Sequence, residues 1–226
     1  MQILSIGKSL EHKNLEITSI DESKLGIHPN IEEYDYILIN GGDGTIRRVI
    51  KQIYKLEKPP AFILNPTGSF NVIAKTHNVP NYETILDILV KDKKPKTNPQ
   101  QINKLNNEIF LFSAGNMGDI QHIFISETLR FGILKKGIAK YILAAIFLLP
   151  VHLIMTPFML LSPRRFFIFT PFSFIKKFGT FYGQVPSITI NLENTYNLVE
   201  LDGDIVTIEE DIIAIEPIKN IQIVTK

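Results

Sequence analysis

Gly41-Gly42-Asp43-Gly44-Thr45 is the stretch on which the rest of the chain is read. It follows the apolar run Tyr36 to Ile39. It precedes Ile46, Val49, Ile50, Ile53 and Leu56, whose three- and four-residue spacing marks one face of a helix. Three glycines around one carboxylate let the backbone turn sharply and approach a bulky anion, while the first N–H groups of the following helix point at it. The implied ligand is a phosphate, with Asp43 placed to hold Mg²⁺. The competing reading is a tight strand-to-helix turn that binds nothing.

Working outward, Pro59-Pro60 stops the helix and Ala61-Phe62-Ile63-Leu64 reads as a second buried strand. Asn65-Pro66-Thr67-Gly68-Ser69 is then a second strand-to-loop-to-helix corner, leading into a helix around Asn71 to Thr76. Two such corners close in sequence predict neighbouring parallel strands with both loops at the carboxyl edge, where open α/β sheets bind ligands. Ile3 to Ile6 and Leu15 to Ile20 are further strand candidates, and Asn81 to Val90 is an amphipathic helix.

Lys91 to Pro99 contains no apolar residue, and the domain boundary is expected there: residues 1–96 form an α/β domain and 97–214 a β-rich one, with a last strand over 215–226 able to return to the first. Beyond it the pattern changes to hairpins. Gln101 to Leu105 and Ile109 to Ser113 flank Asn106-Asn107-Glu108, Ala114 to Asp119 reads as a glycine-rich turn, and short alternating strands fill the chain from Ser187 to Val224.

The 226 residues carry a formal charge of +1, so nothing at the level of the whole chain points to nucleic acid. Without cysteine there is no thiolate metal site and no thiol nucleophile, and the five histidines show no metal spacing. Met1 to Gly7 is too short and polar for a signal peptide, and a cytoplasmic location is expected. From Tyr141 to Leu161 no acidic or basic residue occurs, a run as long as the roughly 20 residues a spanning helix needs. Pro150 and Pro157 are expected to break it, giving a buried core helix followed by a loop. A surface resting on anionic lipid is the third reading, because Phe166, Phe167, Phe169, Phe172, Phe174 and Phe178 run among Arg164, Arg165, Lys176 and Lys177.

Together these segments resemble the diacylglycerol kinase catalytic family. Gly41 to Thr45 is similar to its glycine-aspartate-glycine motif, Pro66-Thr67-Gly68-Ser69-Phe70-Asn71 with Ala74-Lys75 to its second motif, and Lys136 to Tyr141 to its glycine-tyrosine helix start. Leu201-Asp202-Gly203-Asp204 resembles its Asp-Gly-Glu segment. The resemblance implies an α/β nucleotide-binding domain like those of diacylglycerol and NAD kinases, joined to a β-sandwich-like domain. It also implies transfer of the γ-phosphate of ATP, with Mg²⁺, to a hydroxyl of diacylglycerol or a related lipid in phospholipid synthesis.

On that basis Asp43 and Asp204 are the catalytic candidates, with Asp204 as general base. Gly41, Gly42, Gly44, Thr45, Gly68, Ser69, Asn71 and Lys75 form the nucleotide seat, and Asp43 and Asp202 are the metal ligands. Implied partners are a nucleotide, a lipid acceptor and, peripherally, the inner face of the membrane; a homodimer is left open. Two departures favour a catalytically degenerate nucleotide- or lipid-binding relative as the alternative: Arg47-Arg48 replaces the family's Asn-Glu, and its N-terminal Asn-Pro-x-Ser-Gly loop has no counterpart before Tyr34. NAD kinases share the first glycine loop, but their Asn-Glu would have to be Asn107-Glu108, in a predicted turn.

Overall fold

The computed structural model describes residues 1–91, 93–116 and 139–225, and the chain divides into two compact units. The first comprises residues 1–102 and 219–226, the second residues 103–218. The boundaries therefore fall at 102/103 and 218/219, where the sequence reading places them at 96/97 and 214/215.

In the first unit, β1 (Gln2–Ile6), β2 (Glu16–Ile20), β3 (Tyr36–Gly41) and β4 (Ala61–Pro66) are parallel in the order β2-β1-β3-β4. The end of β14 (Ile212–Val224) joins beyond β4 through the parallel pair Ile223 and Phe62. Ile37, Leu38 and Ile39 are inaccessible to solvent, as are Phe62, Ile63 and Leu64. Unbroken burial of this kind is what a parallel sheet covered on both faces requires. Ile3, Leu38, Ile63 and Val224 meet Ile85, Leu86 and Leu89 of α3 (Tyr82–Val90), which leaves Ile37, Ile39, Phe62 and Leu64 for the opposite face. The connection from β3 to β4 is α1 (Asp43–Ile53), whose buried stripe is Ile46, Val49, Ile50 and Ile53. The short α2 (Val72–Thr76) follows β4.

The second unit is a β-sandwich. One sheet runs β13-β12-β7-β8-β10-β9, built from β7 (Ser113–Gly115), β8 (Phe167–Phe169), β9 (Lys177–Phe178), β10 (Phe181–Tyr182), β12 (Asn197–Leu201) and β13 (Asp204–Ile208). Against it lie the hairpin of β5 (Thr97–Leu105) with β6 (Glu108–Phe110), and β11 (Ile188–Asn191) paired to the start of β14. Both layers fill one core, Leu105, Phe110, Ile190 and Ile213 from one side and Ala114, Ile168, Val199 and Leu201 from the other.

Two expectations give way here. Ala114-Gly115 is strand rather than turn, and glycine is needed because a methyl on Gly115 would lie 2.7 Å from the Phe167 ring. The helix α4 (Ala139–Leu161) continues through both Pro150 and Pro157 instead of stopping in mid-run. Each proline forfeits one backbone hydrogen bond, and the helix nonetheless runs unbroken over its 23 residues.

The β12–β13 hairpin turns on Asp202 and Gly203, with φ of +52° and +91°, so both central residues are left-handed as a two-residue type I′ turn demands. The Asp202 carboxylate does more than turn the chain. It accepts the backbone N–H of Leu111 at 2.7 Å, and those of Phe112 and Ser113 at 2.9 Å each, tying the hairpin to the β6–β7 link. At 1% exposure it works away from water. Asp202→Ala leaves those amides buried without an acceptor and is expected to destabilise the protein by about 3 kcal/mol or more, read from the urea midpoint; a loss within about 0.5 kcal/mol, the scale of a surface substitution, would show that the tie carries no weight.

Candidate functional site

β3 and β4 are in register, Asn40 opposite Asn65 and Gly41 opposite Pro66, so the two glycine corners leave the same rim of the sheet. They also touch. A methyl on Gly68 would stand 2.7 Å from the Gly42 Cα, and one on Gly42 would be 3.1 Å from the Gly68 Cα. Only glycine at both positions allows that approach. Gly41 is fixed for a different reason, since a methyl there would fall 2.5 Å from the Thr45 side chain.

Asp43 holds the corners together. It opens α1 and is 8% exposed; its two carboxylate oxygens accept the N–H of Val72 at 2.9 Å and of Ile73 at 3.1 Å, the first amides of α2. Burial raises its pKa above the usual carboxylate value, opposed by those backbone hydrogen bonds and by the positive charge of Lys75. Asn71 braces the second corner. Its backbone is left-handed at φ +49°, its Oδ1 accepts from the Gly68 N–H at 3.0 Å, and its Nδ2 donates to the Gly68 carbonyl at 2.7 Å. No side chain caps α1, so the positive end of its dipole faces the rim between Gly44, Thr45, Gly68 and Ser69. The geometry thus brings together Gly41, Gly42, Asp43, Gly44, Thr45, Gly68, Ser69, Asn71 and Lys75 in the first unit.

Other expected residues have different duties. Asp202 accepts three backbone amides and Asp43 accepts two at α2, which leaves Asp43 a lone pair on each oxygen and Asp202 one on Oδ2. Among the described residues no group of three or more histidine and acidic side chains could hold a metal ion. Mg²⁺ at a phosphate site is ordinarily held by one or two carboxylates together with the substrate phosphates and water rather than by a protein cage. Asp204 opens β13 as a half-buried carboxylate in the second unit. Arg48 is not offered to a phosphate: its Nε donates to Glu22 at 2.7 Å and its Nη2 to Thr45 Oγ1 at 3.2 Å. Arg47 is 4% exposed, packed into the buried side of α1. The expected turn at Met117 to Asp119 and Lys136 to Ile138 of the helix start lie outside the described residues.

Sequence reasoning missed two features of the rim. Ser5, Asn40 and Asn65 form a polar rung across β1, β3 and β4, with Asn40 Nδ2 donating to Ser5 Oγ at 3.2 Å and to the Ile6 carbonyl at 3.0 Å, and Asn65 Nδ2 donating to Asn40 Oδ1 at 2.8 Å. Asparagines ending apolar strands were the available signal. A third corner also leaves this rim. Gly7-Lys8-Ser9 follows β1 with Gly7 at φ +86°, and together with Ser19, Asp21 and Lys24 it borders a cavity of about 220 Å³. The sequence reading finds no loop there because the segment shares no motif, only the place.

A parallel sheet with touching glycine corners on its carboxyl rim, followed by a β-sandwich, defines an α/β protein of two units. The sequence profile of the diacylglycerol kinase catalytic domain matches residues 8–102, so the first unit is similar to that domain. A curated protein of Streptococcus pneumoniae serotype 4 (strain TIGR4), provisionally named a lipid kinase, is 30% identical over 134 residues, which are 57% of this chain and 45% of that one. A diacylglycerol kinase of Staphylococcus aureus (strain NCTC 8325) is 29% identical over 91 residues, 40% of this chain and 27% of its own. The chain thus matches less than half the length of these curated relatives. The crystal structure of a diacylglycerol kinase from Bacillus anthracis str. Sterne shares the fold with a TM-score of 0.57 at 15% identity, over 100% of this chain and 96% of that one. The two-part architecture expected from the sequence is therefore the one observed.

Two outcomes test this geometry. Gly68→Ala forces a methyl against the Gly42 backbone and is expected to destabilise by about 1–3 kcal/mol and to remove any stabilisation by ATP; a variant that melts like wild type would refute the contact. For Asp43 the folded pKa lies above the unfolded one, so the folded state binds the extra proton between those values and this group's contribution falls as pH rises through that window. Asp43→Asn does not titrate. Its urea stability is expected to gain on wild type as pH rises from about 4, near the ordinary carboxylate pKa, towards neutrality, whereas a pH-independent difference would deny the burial.

Proposed function

We propose that the protein is an ATP-dependent lipid kinase, moving the γ-phosphoryl group of ATP to a hydroxyl of diacylglycerol or a related lipid at a membrane surface. The observation that carries this reading is the contact of the two glycine corners on one rim, within the stretch that matches the diacylglycerol kinase catalytic domain. Phosphoryl transfer asks a protein mainly for positioning and charge neutralisation. The amides of Gly42, Gly44, Thr45, Gly68 and Ser69 are assigned to the triphosphate, with Lys75 as the adjacent cation. Asp43 positions both corners, and Asn71 positions Gly68. Lys8 and Lys24, on the third corner, are further candidates for phosphate contact. In the proposed step a lipid hydroxyl oxygen bonds to the γ-phosphorus, the bond to the β-phosphate bridging oxygen breaks, the hydroxyl proton passes to Asp204, and ADP leaves. Asp43, and Asp202 as the second carboxylate, would hold Mg²⁺, which would neutralise charge on the phosphates when bound.

The engagement of Asp43 and Asp202 by backbone amides favours one second reading, a nucleotide- or lipid-binding module that does not turn over. Purified protein given ATP with diacylglycerol vesicles, and separately with NAD, distinguishes the readings. Release of ADP and phosphorylated lipid only with the vesicles is expected. Asp204→Asn is expected to lower kcat by about 10²–10⁴-fold, the range of general acid–base catalysis, without shifting the ATP-induced rise in Tm. A rise in Tm with no turnover on either acceptor leaves the binding module standing and removes the kinase.

A further inference from the structure

We infer that α4 is an interfacial wedge: one flank of the helix packs on its own unit, and the other enters the acyl layer of an anionic lipid bilayer. The inference deepens the lipid-kinase reading by naming the element that meets the membrane, and it rests on that reading for the presence of a lipid acceptor.

The first argument is composition against exposure. Between Tyr141 and Leu161 the chain has no charged residue, and a helix apolar all round belongs in a core or in lipid. Yet Ile142, Ile146, Phe147, Leu149, Leu153, Ile154, Phe158 and Leu161 are all more than half exposed, with Leu153 and Phe158 at 71% and 70%. At about 100° per residue these positions fall within one arc of about 180°. That is a face, and nothing in the described structure covers it.

The second argument decides how the face meets lipid. Leu148, on the other side of the helix, is 9% exposed. The Leu160 carbonyl accepts the Thr180 N–H at 3.1 Å, and Gly179 sits with φ of +58° so close that a methyl there would be 2.6 Å from the same carbonyl. Contact at Leu148 and at the Leu160 carbonyl ties the helix to its own unit, and an apolar helix held by protein in this way has its bare arc left to meet lipid.

The third argument selects the occupant. Phe178 of the β9–β10 hairpin and Phe174 just before it are both exposed, next to Lys176 and Lys177. Arg164 and Arg165 follow the helix directly. Arg164 pairs with Glu193 and Arg165 donates to the Asn116 carbonyl at 2.6 Å, so among the described residues here Lys176 and Lys177 are the cations offered to lipid phosphates, the Lys177 ammonium lying 5.4 Å from the centroid of the Tyr182 ring. Apolar side chains edged by amines match a bilayer with anionic headgroups. The surface of a second copy offers no such headgroups, and dimerisation is the rival the test must exclude.

The test is vesicle flotation of the full chain without nucleotide, so that its outcome is independent of phosphoryl transfer. Wild type is expected to float with vesicles of neutral lipid plus phosphatidylglycerol, and to keep most of that binding in about 1 M salt, where electrostatic reach is about 3 Å. The double variant Leu153→Asn, Phe158→Asn is expected to lose binding at least about tenfold, with unchanged far-UV circular dichroism and unchanged stabilisation by ATP. Lys176→Gln with Lys177→Gln is expected to weaken binding only at low salt. Unchanged flotation of the double variant overturns the proposal, as does wild-type binding abolished by salt. A bound fraction that resists alkaline carbonate overturns it in favour of a span, and a wild-type dimer that the double variant splits overturns it in favour of a second copy.

Discussion

Everything at the rim depends on one close approach, Gly42 against Gly68, and on the carboxylate that makes it permanent. Two loops carrying uncompensated amides would not settle at backbone contact unaided. Asp43 brings them there because it begins α1 while its oxygens accept the first amides of α2. The penalty for burying that charge appears as its raised pKa, offset in part by the same hydrogen bonds and by Lys75. The opening end of α1 stays free of side-chain caps, so the carboxylate that closes α2 leaves a neighbouring positive helix end for an anion.

The sheet supplies the frame. Strands buried on both faces cannot slip register without moving apolar side chains into the wrong layer. The in-register pairing of β3 with β4 therefore fixes both corners on one rim, and the rung of Ser5, Asn40 and Asn65 satisfies polar groups just beneath it. In the second unit Asp202 does for a β-hairpin what Asp43 does for the corners, binding backbone amides remote in sequence. Two acids that stand in motif positions thus hold loops in place, while Asp204, two residues beyond Asp202, is half-buried at the start of β13.

Much of this was legible in the residues because the relevant signals are local. Glycines after an apolar run, the 3.6-residue period of α1 and the Asp-Gly turn all act over a few positions, and each is present, although α1 ends at Ile53, short of the expected Leu56. What was not legible needed long-range partners. That Asp202 serves Leu111 to Ser113, that Arg48 turns to Glu22, and that Gly115 lies in a strand against Phe167 depend on contacts far apart in sequence. The proline expectation failed for an energetic reason. Pro150 and Pro157 remove one hydrogen bond each, a local cost that the remaining turns of an apolar 23-residue helix absorb.

The central claim, that touching glycine corners form one seat for a nucleotide's phosphates, is tested most directly by following backbone amide resonances while ATP is titrated into the protein. The amides of Gly42, Gly44, Thr45, Gly68 and Ser69 are predicted to shift together along a single saturating curve, with those of Gly7 and Lys8 beside them. Saturable shifts confined to other parts of the chain, or shifts at one corner that leave the other unmoved, would contradict it.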